Sequence, residues 1–155
     1  MEVNGLGADQ FKLAFRNHPP GLTATSVFSV SAEPAILVFS ISGTSSSAPA
    51  IAKTDTVVVH LLGADQLDIA RLFATSGVDR FADTAIWDRL ATGEPYLPGS
   101  PVWIRGRVIN RMTAGGSTIV AVHALEAAVS NAHAAPLVYH NRSWHHIGAH
   151  SRLET

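Results

Sequence analysis

Serine and threonine hydroxyls crowd one stretch of the chain, Leu22 to Ser47, which reads LTATSVFSVSAEPAILVFSISGTSSS. Thr23, Ala24, Thr25 and Ser26 open it, and Ser40 and Ser42 follow the apolar run Ile36 to Phe39. Ser45, Ser46 and Ser47 close it. A hydroxyl is a weak nucleophile without a neighbouring base, and no G-x-S-x-G elbow surrounds any of these serines, so a hydrolase triad has no anchor. What such groups do well is donate and accept hydrogen bonds. Two β-runs on either side of Ala32-Glu33-Pro34 predict an antiparallel pair. One of its faces carries hydroxyls and bare backbone, which suits a planar polar ligand. Ser45 to Ser47 stand before Ala48-Pro49-Ala50-Ile51-Ala52-Lys53, and serine closely followed by proline reads as a helix start. Free N–H groups at such a start would suit a phosphate, although an ordinary capped helix is the commoner role.

The second cluster of reactive side chains is His140, His145, His146 and His150. Imidazole is a common metal ligand. On a strand, however, His145 and His146 point to opposite faces and no carboxylate is interleaved with them, so no native metal site is expected. The chain of 155 residues has no cysteine, which excludes disulfides, thiolate catalysis and cysteine-ligated metal centres. Neither a P-loop nor a strand-linked G-x-G-x-x-G is present. A net charge of −1 offers no basic field, so nucleic acid is not the expected partner. No apolar run reaches the roughly 18 residues that span a bilayer, and MEVNGLGADQ lacks the basic and apolar segments of a secretory signal. A cytoplasmic protein without a membrane partner is expected.

The elements that must position these groups follow from periodicity and punctuation. A short helix from Asp9 carries Phe11, Ala14 and Phe15 on one face and stops at His18-Pro19-Pro20-Gly21. After the hydroxyl-rich pair, Thr56 to Leu62 predicts a β-branched strand that is fully buried or nearly so. Gly63-Ala64-Asp65 leads into a helix to about Ala74, with Ile69, Ala70, Leu72 and Phe73 inward and Gly77 as its stop. Asp79 to Gly99 reads as a long loop, a common place for function. Val102 to Met112 and Thr118 to Ala128 predict a long hairpin across Thr113-Ala114-Gly115-Gly116-Ser117. Leu137-Val138-Tyr139 and Trp144 to Ile147 predict two short strands around His140-Asn141-Arg142-Ser143, with a frayed polar tail after Gly148. No repeat or linker interrupts the chain. A single mainly β domain over residues 1–155 is expected, a small closed or split barrel with a few helices.

Taken together, these pieces resemble the flavin reductase-like family, whose fold is the FMN-binding split barrel, over about residues 15–148. The resemblance rests on His18-Pro-Pro-Gly21, Thr23-Ala-Thr-Ser26 with Val30-Ser31-x-x-Pro34, and Ser45-Ser-Ser-Ala-Pro-Ala50. Further pieces are Asp79-Arg-Phe81, Gly99-Ser100, and Pro136-Leu-Val-Tyr-His-Asn-Arg142 with Trp144. It implies an NAD(P)H:flavin oxidoreductase that takes hydride from NADH or NADPH to FMN or FAD and feeds reduced flavin to a partner monooxygenase. It also implies a homodimer, to which the hairpin Val102 to Ala128 would bring apolar area with Trp103 outward. By the resemblance, Thr23, Ala24, Thr25 and Ser26 lie along the isoalloxazine. Ser40, Ser42, Ser45, Ser46 and Ser47 approach the ribityl chain and phosphate, and Arg80 and Phe81 lie beside the flavin. Tyr139, His140, Asn141, Arg142 and Ser143 hold the nicotinamide nucleotide. No catalytic side chain is assigned, because hydride transfer needs positioned rings rather than a nucleophile or metal.

The plainer roles are an edge strand for Thr23 to Ser26, pairing with Asp79 or Asp83 for Arg80, and a turn histidine for His140. One departure is visible. Between Gly21 and Leu22 the family carries a further strand and turn that this chain lacks, and Ser143 and Trp144 stand where relatives often have basic and tyrosine residues. The alternative function is a non-catalytic split-barrel module, either flavin-binding or a ligand-free dimeric scaffold.

Overall fold

The computed structural model describes residues 27–44, 48–75 and 78–155. The helix from Asp9, the His18 to Gly21 segment, Thr23 to Ser26, Ser45 to Ser47 and the stop at Gly77 lie outside the described residues. Strand β1 (Val27–Ala32) and strand β2 (Ala35–Ser42) form the expected antiparallel pair around Glu33-Pro34, whose peptide bond is cis. The serine run leads only into a single turn, α1 (Ala48–Ile51), because Lys53 and Thr54 already belong to the turn before β3 (Thr56–Leu61).

Strands β6 (Val102–Ala114) and β7 (Ser117–Val129) make the long hairpin, each 13 residues, with only Gly115 and Gly116 at its tip. Pairing runs two residues further into the expected turn because Gly115 takes φ +59°, which lets a two-residue connection close the ladder. β2 then pairs with β7 and β3 with β6, giving the order β1-β2-β7-β6-β3. Among the described residues β1 and β3 are the free edges of this sheet.

Period-two alternation sorts the sheet into two faces. Leu37 and Phe39 of β2, Val120, Val122 and Ala124 of β7, and Val102 and Ile104 of β6 share the buried face with Val27 and Leu61. Burying each large side chain of this kind contributes about 1.5–3 kcal/mol. On the opposite face, register sets Val38 beside Ala121 and Phe28, Ser40 beside Ile119, and Ile119 beside Met112. β3 is less buried than its apolar sequence predicts. Val57 and Val59 pack on the core, but an edge strand has a neighbour on one side only, and its residues up to His60 stay half-exposed.

Residues 78–100 are not wholly irregular. Asp88–Arg89 (β4) pairs with Pro95–Tyr96 (β5) around a turn in which Gly93 has φ +100°. This loop is fastened to the sheet's second face at several points. Glu94 forms an ion pair with Arg105, the Leu97 N–H donates to His60 Nε2 at 2.9 Å, and the Tyr96 ring meets Trp103 at 5.7 Å. Trp103 is therefore half-covered by the chain's own loop rather than facing outward for a dimer. Gln66, buried at the start of helix α2 (Leu67–Ala74), accepts from the Gly63 N–H at 3.0 Å and donates to buried Ser100 at 3.3 Å. After Gly148 the tail is less frayed than expected: one 3-10 turn forms over Ala149–Ser151, with the Ser151 hydroxyl accepting from the Gly148 N–H.

The hairpin is bent where register slips, at Arg105/Gly106 and again at Val108/Asn110. Gly106 sits at the first bend, where a Cβ would meet Val122 Cγ1 at 2.3 Å and the His123 carbonyl oxygen at 2.8 Å. Gly106→Ala is expected to destabilise the fold by about 1–3 kcal/mol, as overpacking of a tight core does. Gly116→Ala, which would meet nothing within 4 Å, serves as the control and should cost little. Equal melting temperatures for the two variants would contradict this packing.

Candidate functional site

Ser40 and Ser42 end β2 on the face opposite the core, and both are exposed. The Ser42 hydroxyl lies 2.9 Å from that of Thr44 and accepts from the Thr44 N–H at 3.3 Å. The turn between them is clasped to the tip of the long hairpin, since the Gly43 N–H donates to the Gly116 carbonyl at 2.8 Å. A Cβ on Gly43 would lie only 3.0 Å from that carbonyl oxygen, so glycine permits the approach. Beyond the serine cluster, Arg111 of β6 reaches across to α1 and donates to the carbonyls of Ile51 (3.0 Å) and Thr54. Thr44 thus ends a clasped turn and Ala48 begins an arginine-tied one. Arg111 did not stand out in the sequence, because its contacts with Thr54 and Ile51 are made across 57 and 60 residues of chain.

Arg80 and Phe81 sit in the loop after α2. Arg80 Nη2 donates to the Thr75 carbonyl at 3.1 Å, near the C-terminal end of that helix. The carboxylates of Asp79 and Asp83 accept the backbone N–H groups of Phe81 and Ala85. Phe81 is 41% exposed and lies edge-on between Phe73 (5.9 Å) and Trp87 (5.2 Å). Trp87 Nε1 donates to the Phe81 carbonyl, and the Arg89 guanidinium covers the Trp87 ring at 5.4 Å. The aromatic and cationic side chains hold the loop in shape and leave Phe81 partly exposed. Trp87 and Arg89 are the further residues of this group that sequence reading passed over.

Tyr139, His140, Asn141, Arg142 and Ser143 are brought together at the tip of a second hairpin, β8 (Leu137–His140) with β9 (Ser143–His146). Leu137 and Val138 are buried and anchor it, whereas Tyr139 through Ser143 are exposed. Asn141 (φ 50°) and Arg142 (φ 61°) both take left-handed conformations, the requirement of a tight two-residue turn. Tyr139 and Trp144 face each other across the strands with rings 4.8 Å apart, and a ring nitrogen of His145 lies 3.2 Å from the His140 carbonyl. Among the described residues no three His, Cys, Asp or Glu side chains gather as a metal site.

Three groups of expected site residues therefore stand on three elements. The second hairpin and the Arg80 loop share a root at the β3 edge: Leu137 N–H donates to the Leu62 carbonyl, Ala64 N–H to the Ala135 carbonyl, and Gly63 bridges Pro136. Ser40 and Ser42 lie two strands beyond β6, on β2. The donor set fits a flavin and a nicotinamide nucleotide. Exposed hydroxyls suit a polyol phosphate, a partly exposed phenyl ring suits a flat partner, and an exposed guanidinium and imidazole suit a pyrophosphate or carboxamide.

A sequence model described as the flavin reductase like domain matches residues 8–148. The chain is 39% identical to an NADH:FMN oxidoreductase of Rhodococcus qingshengii over 91% of this chain and 82% of that protein. It is 28% identical to the reductase component of a 4-nitrophenol 4-monooxygenase/4-nitrocatechol 2-monooxygenase from Rhodococcus opacus, over 83% of this chain and 68% of the relative. The crystal structure of a flavin reductase domain protein from Arthrobacter sp. FB24 superposes with a TM-score of 0.77 at 31% identity, covering 95% of this chain and 98% of the other. The alignment with the R. qingshengii protein spans 160 residues, more than the 155 of this chain, so that relative carries residues within it that this chain lacks.

The left-handed turn separates folding from ligand contact. Arg142→Gly should leave the melting temperature unchanged or slightly raised, because glycine takes φ 61° without the Cβ penalty of about 1 kcal/mol. A fall of several degrees would mean that the Arg142 side chain supports the fold.

Proposed function

Because the chain belongs to the flavin reductase-like family, we infer that it is an NADH-dependent flavin reductase, acting on FMN or FAD and supplying reduced flavin to a partner monooxygenase. The observation that carries this reading is the 39% identity to an NADH:FMN oxidoreductase over 91% of the chain, alongside a family match over residues 8–148 that takes in both the hydroxyl-rich strand pair and the second hairpin. Bound flavin supplies the hydride acceptor. The chain's own part is to place two flat rings about 3–3.5 Å apart and to exclude competing geometries. Thr23 to Ser26 are proposed to donate along the isoalloxazine edge, and Ser40, Ser42 and Ser45 to Ser47 to take the ribityl chain and phosphate. Phe81 offers its partly exposed ring and Arg80 its charge beside the flavin. Tyr139, His140, Asn141, Arg142 and Ser143 hold the nicotinamide nucleotide. His140 donates to a carboxamide or phosphate oxygen and Arg142 grips the pyrophosphate. We place this activity in the cytoplasm, where reduced nicotinamide nucleotide is made.

We further propose a homodimer formed through the second face of the sheet. Phe28 and Met112 are 43% and 55% exposed there, beside half-buried Val38, Ile119 and Ala121, and apolar area of this kind calls for a cover. Trp103 takes no part, since Tyr96 already lies against it. Light scattering at micromolar concentration should give twice the chain mass, and Met112→Asp should shift it toward the monomer. A wild-type monomer would overturn the dimer.

Steady-state oxidation of NADH on addition of FMN tests the enzymatic reading against a binding module, which would bind flavin without turnover. His140→Ala and Arg142→Gly should each raise the KM for NADH about 10-fold or more with kcat little changed. This is the effect of losing a charge-assisted hydrogen bond of about 1.5–3 kcal/mol that is common to ground and transition states. Flavin affinity, read by fluorescence quenching, should stay within about threefold. Weakened flavin binding with an unchanged KM for NADH would move the hairpin tip to the flavin site.

A further inference from the structure

One partly buried titratable group has no role in the proposed hydride chemistry. His60 lies on β3 across from Trp103 of β6, on the face away from the core. Its Nε2 accepts the backbone N–H of Leu97 at 2.9 Å, and Leu97 is buried. An imidazole nitrogen that accepts a hydrogen bond carries no proton, and imidazolium has no acceptor. This contact therefore exists only while His60 is neutral. It closes the C-terminal end of the loop that bears Arg80 and Phe81.

We propose that His60 is a proton-operated latch for the loop of residues 78–97, holding it on the sheet when neutral and releasing it when protonated. The charged and titratable groups around it leave it as the variable element. On β6, Arg105 follows Trp103 by two residues on the same face and is neutralised by Glu94 of the loop, with Glu126 of β7 opposite it. The loop also brings Tyr96, whose ring meets Trp103, and across the small ladder Asp88 and Arg89. Asp55 and Asp65 flank β3 in sequence. Burial works against the charge on Glu94, yet hydrogen bonds from Thr92, its own N–H and Arg105 outweigh it and hold the carboxyl below its usual range. Glu94 thus keeps its charge while His60 titrates. Burial pushes the His60 imidazole down from 6.5 to about 4, against a smaller opposing effect of a hydrogen bond with the Val58 backbone.

The sign follows from linkage. The released loop leaves His60 near its ordinary value and so binds the proton more tightly than the latched one. The latch is at full strength above about pH 6.5 and weakens as pH falls toward about 4, by up to tenfold per unit and on the order of a hundredfold in all.

Hydrogen exchange followed by mass spectrometry tests this without any ligand. Exchange in peptides covering 88–97 is corrected for intrinsic rates and compared with the β6–β7 hairpin as internal reference. Wild-type loop protection should fall about fivefold between pH 6.5 and 5.5 and further by pH 4.5. His60→Gln keeps an acceptor that cannot titrate, so its loop should stay protected with no such slope. His60→Phe removes the acceptor and should be unprotected at every pH; if that variant does not fold, the glutamine comparison decides alone. A flat wild-type profile, or a glutamine variant with the wild-type slope, overturns the latch. FMN affinity measured on the same samples separates the latch from the flavin assignment. Affinity that weakens in acid only in wild type supports both. Affinity indifferent to a pH-dependent loop removes Arg80 and Phe81 from the flavin while upholding the latch.

Discussion

The backbone ladder between β6 and β7 is the interaction on which the rest of the structure depends. β2 pairs on its outer side through β7 and β3 through β6, so each neighbouring strand inherits its register from this hairpin. Its core residues Val102, Ile104, Val120, Val122 and Ala124 are almost wholly shielded from water. A slip of one residue would exchange this buried set for Trp103, Arg105, Ile119 and Ala121. The two-glycine tip and the close approach at Gly106 hold that register, and the bulges beside Gly106 and Asn110 curve the sheet around its core.

From that frame hang the parts that meet ligands. The turn at Gly43 is tied to the hairpin tip, α1 is tied through Arg111, and the loop of residues 78–100 is tied through His60, Arg105 and Ser100. The ties through Arg111, His60 and Arg105 join a strand to a backbone group or charge on a neighbouring turn or loop. Loops fastened at a few points in this way keep a defined shape yet open at lower cost than the sheet itself. That suits a protein whose work is to admit two flat molecules, hold them in contact and let one go.

Reductive chemistry of this kind asks little of side-chain reactivity. The proposed site residues offer hydroxyls, an exposed guanidinium, an exposed imidazole and a partly exposed phenyl ring. Specificity then rests on the placement of donors and on the depth of the surface between them.

Alternating apolar residues in β2, β6 and β7, the glycine pair at 115–116 and the Pro34 turn determined the main elements from sequence alone, because strand periodicity and turn chemistry are local properties. The run Leu137 to His146 was legible as a hairpin for the same reason, and the ordered succession of weak motifs from His18 to Trp144 was enough to mark the family. Tertiary structure decided what depends on neighbours distant in the chain. Thr56 to Leu62 reads as a buried strand, yet β3 lies at an edge because, among the described residues, only β6 pairs with it. Trp103 reads as an outward aromatic, yet Tyr96 folds back against it. His60, Glu94 and Arg111 look like ordinary polar residues until the fold brings each to a partner 11 to 60 residues away. No pattern of nearby residues encodes such pairings, since they are set by where the sheet places its loops.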